Sequence, residues 1–212
     1  MRKYDAIIFD FDGVLVESVD VKTQAFAALY AKYGQEIVEK VIAYHLRHAG
    51  VSRFDKFRYF HEVLLGKRLS EEEEKMLCVQ FSELVVDAVV AAPWVPGAKE
   101  FLERFYKEIP LFIASGTPDD EIKEIVNKRQ MSHYFVSIHG TPAKKAEIIN
   151  TIWNKFGFER KRMLMVGDAV ADYEGVILTG ICFIGRVQHL DKNAFPESVH
   201  VIKDLSMLHH YI

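Results

Sequence analysis

The stretch Ala6-Ile7-Ile8-Phe9-Asp10-Phe11-Asp12-Gly13-Val14-Leu15 sets an uninterrupted apolar run directly before two carboxylates and a glycine. A short continuous run of this kind predicts a strand buried on both faces, the environment of a parallel sheet covered by helices. Gly13 permits a sharp turn after the strand, so Asp10 and Asp12 can share one small site. One acid can then attack as a nucleophile while the other handles protons. Asp-x-Asp-Gly alone also reads as an ordinary turn, because acids before glycine are common there.

Beyond Pro93-Trp94-Val95-Pro96-Gly97 the chain alternates between short apolar runs and helical patterns. Strands are expected at Leu111–Ala114, Tyr134–Ile138, Met163–Val166, Ile181–Ile184 and Val199–Ile202. Helices are expected at Asp119–Arg129, Ala143–Phe156 and Ala171–Leu178. Regular strand–helix alternation with short connections predicts an α/β fold, a doubly wound parallel sheet.

Residues 16–92 break that rhythm. Ala25, Phe26, Leu29 and Tyr30 recur at helical spacing, as do Val38, Val41, Ile42 and His45. Ser70 followed by Glu71 to Glu74 is a helix start, with a good N-cap and acids at the positive end of the dipole. The expected organisation is a core of residues 1–15 and 93–212, interrupted at 16–92 by an all-helical cap.

Ligands of doubly wound sheets sit at the carboxyl ends of the strands, and four strand ends carry polar groups. Asp10 and Asp12 follow the first. Ser115-Gly116-Thr117 follows the second, where a hydroxyl and small residues opening a helix suit an anion, or merely cap the helix. Gly140-Thr141-Pro142-Ala143-Lys144-Lys145 follows the third, where an ammonium could balance phosphate or decorate the surface. Asp168 and Asp172 follow the fourth and offer hard oxygen ligands suited to Mg²⁺, although Asp168 could equally cap a helix. Occurring in this order, the four groups converge on one crevice.

Composition narrows the classes further. The chain has 212 residues, 50% hydrophobic and 27% charged, with a formal net charge of -3. Such a chain folds without staples. The mild negative charge gives no basic footprint for nucleic acid. Cys78 and Cys182 form neither a disulfide framework nor a zinc spacing, which points to a reducing cytoplasm. No signal-peptide core precedes Asp10, and the apolar stretch from Leu84 to Val95 is broken by Asp87 and Pro93 and is too short to span a bilayer. A soluble cytoplasmic protein with no membrane partner is expected.

Phe9-Asp10-Phe11-Asp12-Gly13-Val14-Leu15, Ser115, Lys145 and Gly167-Asp168 to Asp172 resemble the four motifs of the haloacid dehalogenase-like hydrolases. The cap position resembles the branch of the phosphoglycolate phosphatases and β-phosphoglucomutases. The resemblance implies a Rossmann-like core, Mg²⁺ and phosphoryl transfer through an aspartyl-phosphate. It implies Asp10 as nucleophile and Asp12 as general acid and base. Asp10 and Asp168 would hold the metal, with the Asp12 backbone carbonyl as a further ligand and Asp172 in support through water or by pairing with the lysine. Ser115 and Gly116, with Thr117 beside them, would hold phosphate oxygens while Lys145 neutralises charge. Lys144 is its rival; Lys145 is preferred because Gly-x-Pro-x-x-Lys is similar to the phosphatase spacing.

The second aspartate, Asp12, which the family's dehalogenases lack, argues for phosphate chemistry. Gly50-Val51-Ser52-Arg53 resembles the β-phosphoglucomutase cap loop, so Arg53 is expected to read a distal anionic or polyhydroxyl group, helped by Arg47, His48 or Lys56. Lys22 stands where the mutases have a histidine, Ala49 where they have a lysine, and Gly116-Thr117-Pro118 differs from their loop. These departures favour a phosphatase, with Lys22 facing the cleft and touching substrate. The expected function is Mg²⁺-dependent hydrolysis of a small phosphorylated metabolite, a sugar phosphate or a phosphoglycolate-like acid, by a monomer or homodimer. A phosphosugar mutase and a non-catalytic phosphometabolite-binding protein remain the alternatives.

Overall fold

The computed structural model describes residues 3–188 and 193–212. Six strands form one parallel sheet: β1 (Ala6–Phe9), β2 (Leu111–Pro118), β3 (Ser137–Thr141), β4 (Met163–Gly167), β5 (Cys182–Arg186) and β6 (Val201–Ile202). Their order is β3-β2-β1-β4-β5-β6. Every side chain of β1 is buried, and the strand's alternation explains why the run has no polar gap. Ile7 and Phe9 join Leu111, Ile113, Leu164 and Val166 on one face, while Ala6 and Ile8 join Phe112, Ala114, Met163 and Met165 on the other.

Helices cover both faces, so the sheet is doubly wound. α7 (Lys145–Phe156) and α8 (Val170–Thr179) cover the second face through Ile148, Ile149, Ile152 and Val176. α5 (Ala98–Phe105) and α6 (Asp119–Lys128) cover the first through Phe101, Leu102, Ile122 and Ile125. Strand order reverses beside β1, and the crevice at that switch lies at the carboxyl ends of β1 and β4.

Four helices lie between β1 and α5: α1 (Val19–Tyr30), α2 (Gln35–Arg47), α3 (Arg53–Tyr59) and α4 (Glu71–Ala91), with a π-helical turn at Phe60–Leu64. A capping box of Ser70 and Glu73 starts α4. Phe26 is the centre of their packing, its ring 4.4 Å from that of Phe81 and 5.6 Å from those of Phe57 and Phe60. The two chain crossings run side by side: Val16 bridges Trp94, and the Glu17 N–H donates to Pro93 O at 2.9 Å. Arg186 grips the first crossing through Gly13 O and Glu17, and Arg129 grips the second through the carbonyls of Val89, Val90 and Ala92.

Several boundaries differ from expectation. β3 begins at Ser137, because Tyr134 ends a 3-10 turn and packs edge-on against Tyr106. α7 begins at Lys145, where the Glu147 carboxylate accepts from the Lys144 N–H at 2.9 Å. The last strand keeps only Val201–Ile202, since the Val199 N–H turns back to Pro196 O. No helix among the described residues is long and apolar enough to cross a membrane.

Candidate active site

Asp10 leaves the end of β1 with its N–H bonded to Val166 O, which ties it to neighbouring β4. Its Oδ1 accepts from the Phe11 N–H at 2.7 Å and lies 2.9 Å from Lys145 Nζ. Lys145 opens α7 and reaches back beneath the strand ends. Its ammonium also lies 2.7 Å from Asp172 Oδ1 and donates to Ala114 O at 2.5 Å. Asp172, in the first turn of α8, is fully buried and accepts from the Ala169 N–H at 3.1 Å. Of the two candidate lysines, Lys145 is therefore the one in the crevice; Lys144 is exposed.

Carboxylate oxygens of Asp10, Asp168 and Asp172 all lie within 4.8 Å of one another. Burial, then the charges of Asp172 and Asp12, push Asp10 up to about 7 against the pull of Lys145. Burial and Asp10 hold Asp168 well above the usual carboxylate range. Burial lowers Lys145, but the charges of Asp10 and Asp172 outweigh it and raise it. Three hard oxygen donors with one ammonium between them leave excess negative charge in a dry place, and this donor set fits a divalent cation. Gly13 makes the approach possible: its φ is +72°, and a Cβ there would stand 2.9 Å from the carboxyl carbon of Asp168.

The Asp12 carboxylate turns away from that cluster. It accepts from Ser18 Oγ at 2.6 Å, from Lys22 Nζ, and from Thr117 Oγ1 at 3.2 Å. Lys22 also donates to Thr117 Oγ1 at 2.7 Å. Burial raises Asp12, but the Lys22 charge and these hydrogen bonds hold it below the usual range. Ser115, Gly116 and Thr117 lie within β2, which runs on to Pro118, and do not open a helix as expected. Ser115 is buried there, its Oγ accepting from the Thr117 N–H at 3.1 Å and keeping its own proton to donate.

One cavity gathers Asp10, Asp12, Gly116, Thr117 and Asp168 from the sheet side and Lys22 and Arg53 from the insertion. A wider cleft reaches Ser115 and Lys145 past Gly50-Val51-Ser52. Arg53 lines the cavity, but its guanidinium is committed to both oxygens of Glu121 and to Ser82 Oγ at 2.8 Å. Of its expected helpers, Arg47 is exposed and His48 hydrogen-bonds within its own helix to Tyr44 O; Lys56 faces the cavity. Sequence reasoning missed Ser18, Glu121 and His45 as neighbours of the site. Only His45 carried a signal, a polar group on the otherwise apolar face of α2.

A protein-family model described as haloacid dehalogenase-like hydrolase matches residues 4–177. A phosphorylated carbohydrates phosphatase of Thermotoga maritima is 27% identical over 198 residues, covering 87% of this chain and 86% of that protein. Among solved structures, a hydrolase from Pseudomonas syringae superposes with a TM-score of 0.77 at 20% identity, covering 98% of this chain and 97% of the other. A predicted phosphoglycolate phosphatase from Haemophilus somnus gives 0.74 at 18% identity, covering 100% and 99%. These structural likenesses establish a common fold.

Proposed function

The chain belongs to the haloacid dehalogenase-like hydrolases, and from that premise we propose that it hydrolyses a small phosphomonoester through a covalent intermediate on Asp10. The observation that carries this reading is Lys145, buried between Asp10 and Asp172 at the end of the strands where Asp168 also stands. A carboxylate approaching a phosphate dianion is repelled by it, and a fixed ammonium beside the attacking group offsets that repulsion. The relative from Thermotoga maritima, named for phosphorylated carbohydrates, supports a phosphate ester as the substrate.

The residues divide the work as follows. An Asp10 oxygen attacks phosphorus, the bond from phosphorus to the leaving oxygen breaks, and that oxygen takes a proton from the Asp12–Lys22 pair. Asp12 then accepts a proton from water, whose oxygen attacks phosphorus and frees inorganic phosphate and the Asp10 carboxylate. Ser115 and the Gly116 N–H bind phosphate oxygens, and Lys145 holds Asp10 in place. Asp10 and Asp168, with the Asp12 carbonyl and Asp172 in support, would hold Mg²⁺, which when bound supplies charge neutralisation at the phosphoryl oxygens. Residues 16–92 act as a cap that shields this crevice and selects the ester's other end.

The test is phosphate release from a panel of sugar phosphates and short phosphorylated acids, with Mg²⁺ and with chelator. Release that needs Mg²⁺ supports the reading. Isomerisation of a sugar phosphate without release would replace it with a mutase.

A further inference from the structure

Arg186 ends β5, and its side chain is buried. Its Nη1 donates to Gly13 O at 3.0 Å and to Glu17 Oε2 at 3.1 Å, its Nη2 to Glu17 Oε1 at 2.6 Å, and its Nε to Lys203 O at 3.0 Å. The two-pronged contact with Glu17 fixes the plane of the guanidinium, and with it the direction of the N–H aimed at Gly13. Gly13 follows Asp12, and its own N–H donates to Val16 O at 2.8 Å. Both peptide planes that flank Gly13 are thus held, the one shared with Asp12 by Val16 and the next by Arg186. The turn packs directly on the acid cluster, since a Cβ on Gly13 would collide with the Asp168 carboxylate.

We propose that Arg186, oriented by Glu17, is a positioning residue for the reaction: it fixes the turn that carries Asp12 and so sets Asp12 against Asp10 and Asp168. The Asp12 carboxylate is held by Ser18, Lys22 and Thr117, but the backbone it hangs from answers to Arg186 through Gly13. Arg186 lies outside the lining of the cavity, so its effect passes through the turn and not through contact with substrate. A misplacement of about 1 Å at a reacting group costs on the order of 100-fold in rate. A turn released at Gly13 therefore loses turnover and leaves substrate binding in place. The Asp12 carbonyl proposed for Mg²⁺ belongs to the same turn, so metal affinity falls with it.

This inference rests on the phosphomonoesterase reading and adds a residue to it. The test compares the full chain as wild type, Arg186→Met, Arg186→Lys and Glu17→Gln. It measures kcat and KM on a short phosphomonoester at saturating Mg²⁺, Mg²⁺ affinity by calorimetry, and urea unfolding. Arg186→Met is expected to lower kcat by about 10- to 100-fold with KM within about threefold, and to weaken Mg²⁺ binding by about tenfold. Arg186→Lys keeps the charge but cannot bond Gly13, Glu17 and Lys203 at once, so it recovers only part of kcat. Glu17→Gln loses less than Arg186→Met, and again in kcat. A fall in unfolding free energy with kcat and Mg²⁺ affinity unchanged would overturn the proposal, because Arg186 would then be a structural clamp only. A loss confined to KM would overturn it as well. If Arg186→Met does not fold, the other two variants decide, and kcat at the wild-type value in both would overturn it. No hydrolysis by wild type would overturn the phosphatase reading instead, and the Mg²⁺ affinities alone would then judge Arg186.

Discussion

Arg53 of α3 and Glu121 of α6 form a two-pronged, buried ion pair that joins the inserted helices to the sheet. Ser82 Oγ completes it, and the guanidinium stacks 4.5 Å from the Phe81 ring centre. Glu121→Ala strands a buried guanidinium and is expected to cost about 3–5 kcal/mol in urea unfolding. The double replacement Arg53→Met with Glu121→Leu removes both charges and recovers most of that loss. A single-variant cost under about 1 kcal/mol would mean that the pair does not hold the cap to the core.

Lys145, and not Lys144, answers the charge of Asp10. Lys145→Met is expected to lower kcat by about 100-fold or more, the scale of losing one preorganised charge at a phosphoryl-transfer site. Lys144→Met, with its side chain in solvent, changes kcat by no more than about threefold. Steady-state kinetics on the same ester compare the two, and a reversed ranking would move the catalytic role to Lys144.

Lys22 acts through Asp12. Its ammonium bonds both Asp12 and Thr117, so Lys22→Met disturbs the group that moves protons. The expected effect is a fall in kcat of about 10- to 100-fold with a smaller change in KM. An effect confined to KM would return Lys22 to the plain substrate contact that its position in the sequence suggests.

Asp10, Asp168 and Lys145 were legible in the sequence because each follows a strand end marked by an unmistakable apolar run or a glycine-proline turn. The strand carries such a residue to the crevice whatever the rest of the chain does. The cap was legible as helices but not as an orientation. Which face of α2 or α3 looks into the cavity depends on how Phe26, Phe57 and Phe81 pack, and long-range packing of that kind leaves no local pattern. His45 therefore reads as one more helical position, and Glu121 as one more acid in a first turn. Arg53 was found by its motif, but a motif does not reveal that a carboxylate from another helix already occupies the guanidinium. α5 escaped notice because its eight residues are fewer than the roughly 11 over which a helical period is read. Tyr134 misled in the opposite sense, its apolar run being used to pack a turn against Tyr106.

His45 gives the fold a pH dependence of its own. Burial, then the charges of Lys56 and Lys22, push its pKa down to about 3 in the folded chain, against 6.5 for an ordinary histidine. Between those values the unfolded chain holds a proton that the folded chain refuses. Stability is therefore lost as pH falls below 6.5, at about 1.4 kcal/mol per pH unit from this group. His45→Gln removes the dependence, so its loss of unfolding free energy from pH 7.5 to 5.5 is smaller than that of wild type by about 1 kcal/mol. Parallel profiles for the two proteins would contradict a buried, neutral His45.

The central claim is that Asp10, held beside the Lys145 ammonium, takes the phosphoryl group. The most direct measurement is phosphate release from a short phosphomonoester by wild type and Asp10→Asn, each with Mg²⁺ and with EDTA. The account predicts release by wild type with Mg²⁺ only, and a loss of about 1,000-fold or more in Asp10→Asn, because an amide cannot act as the nucleophile. Release by Asp10→Asn at a rate near that of wild type would contradict it.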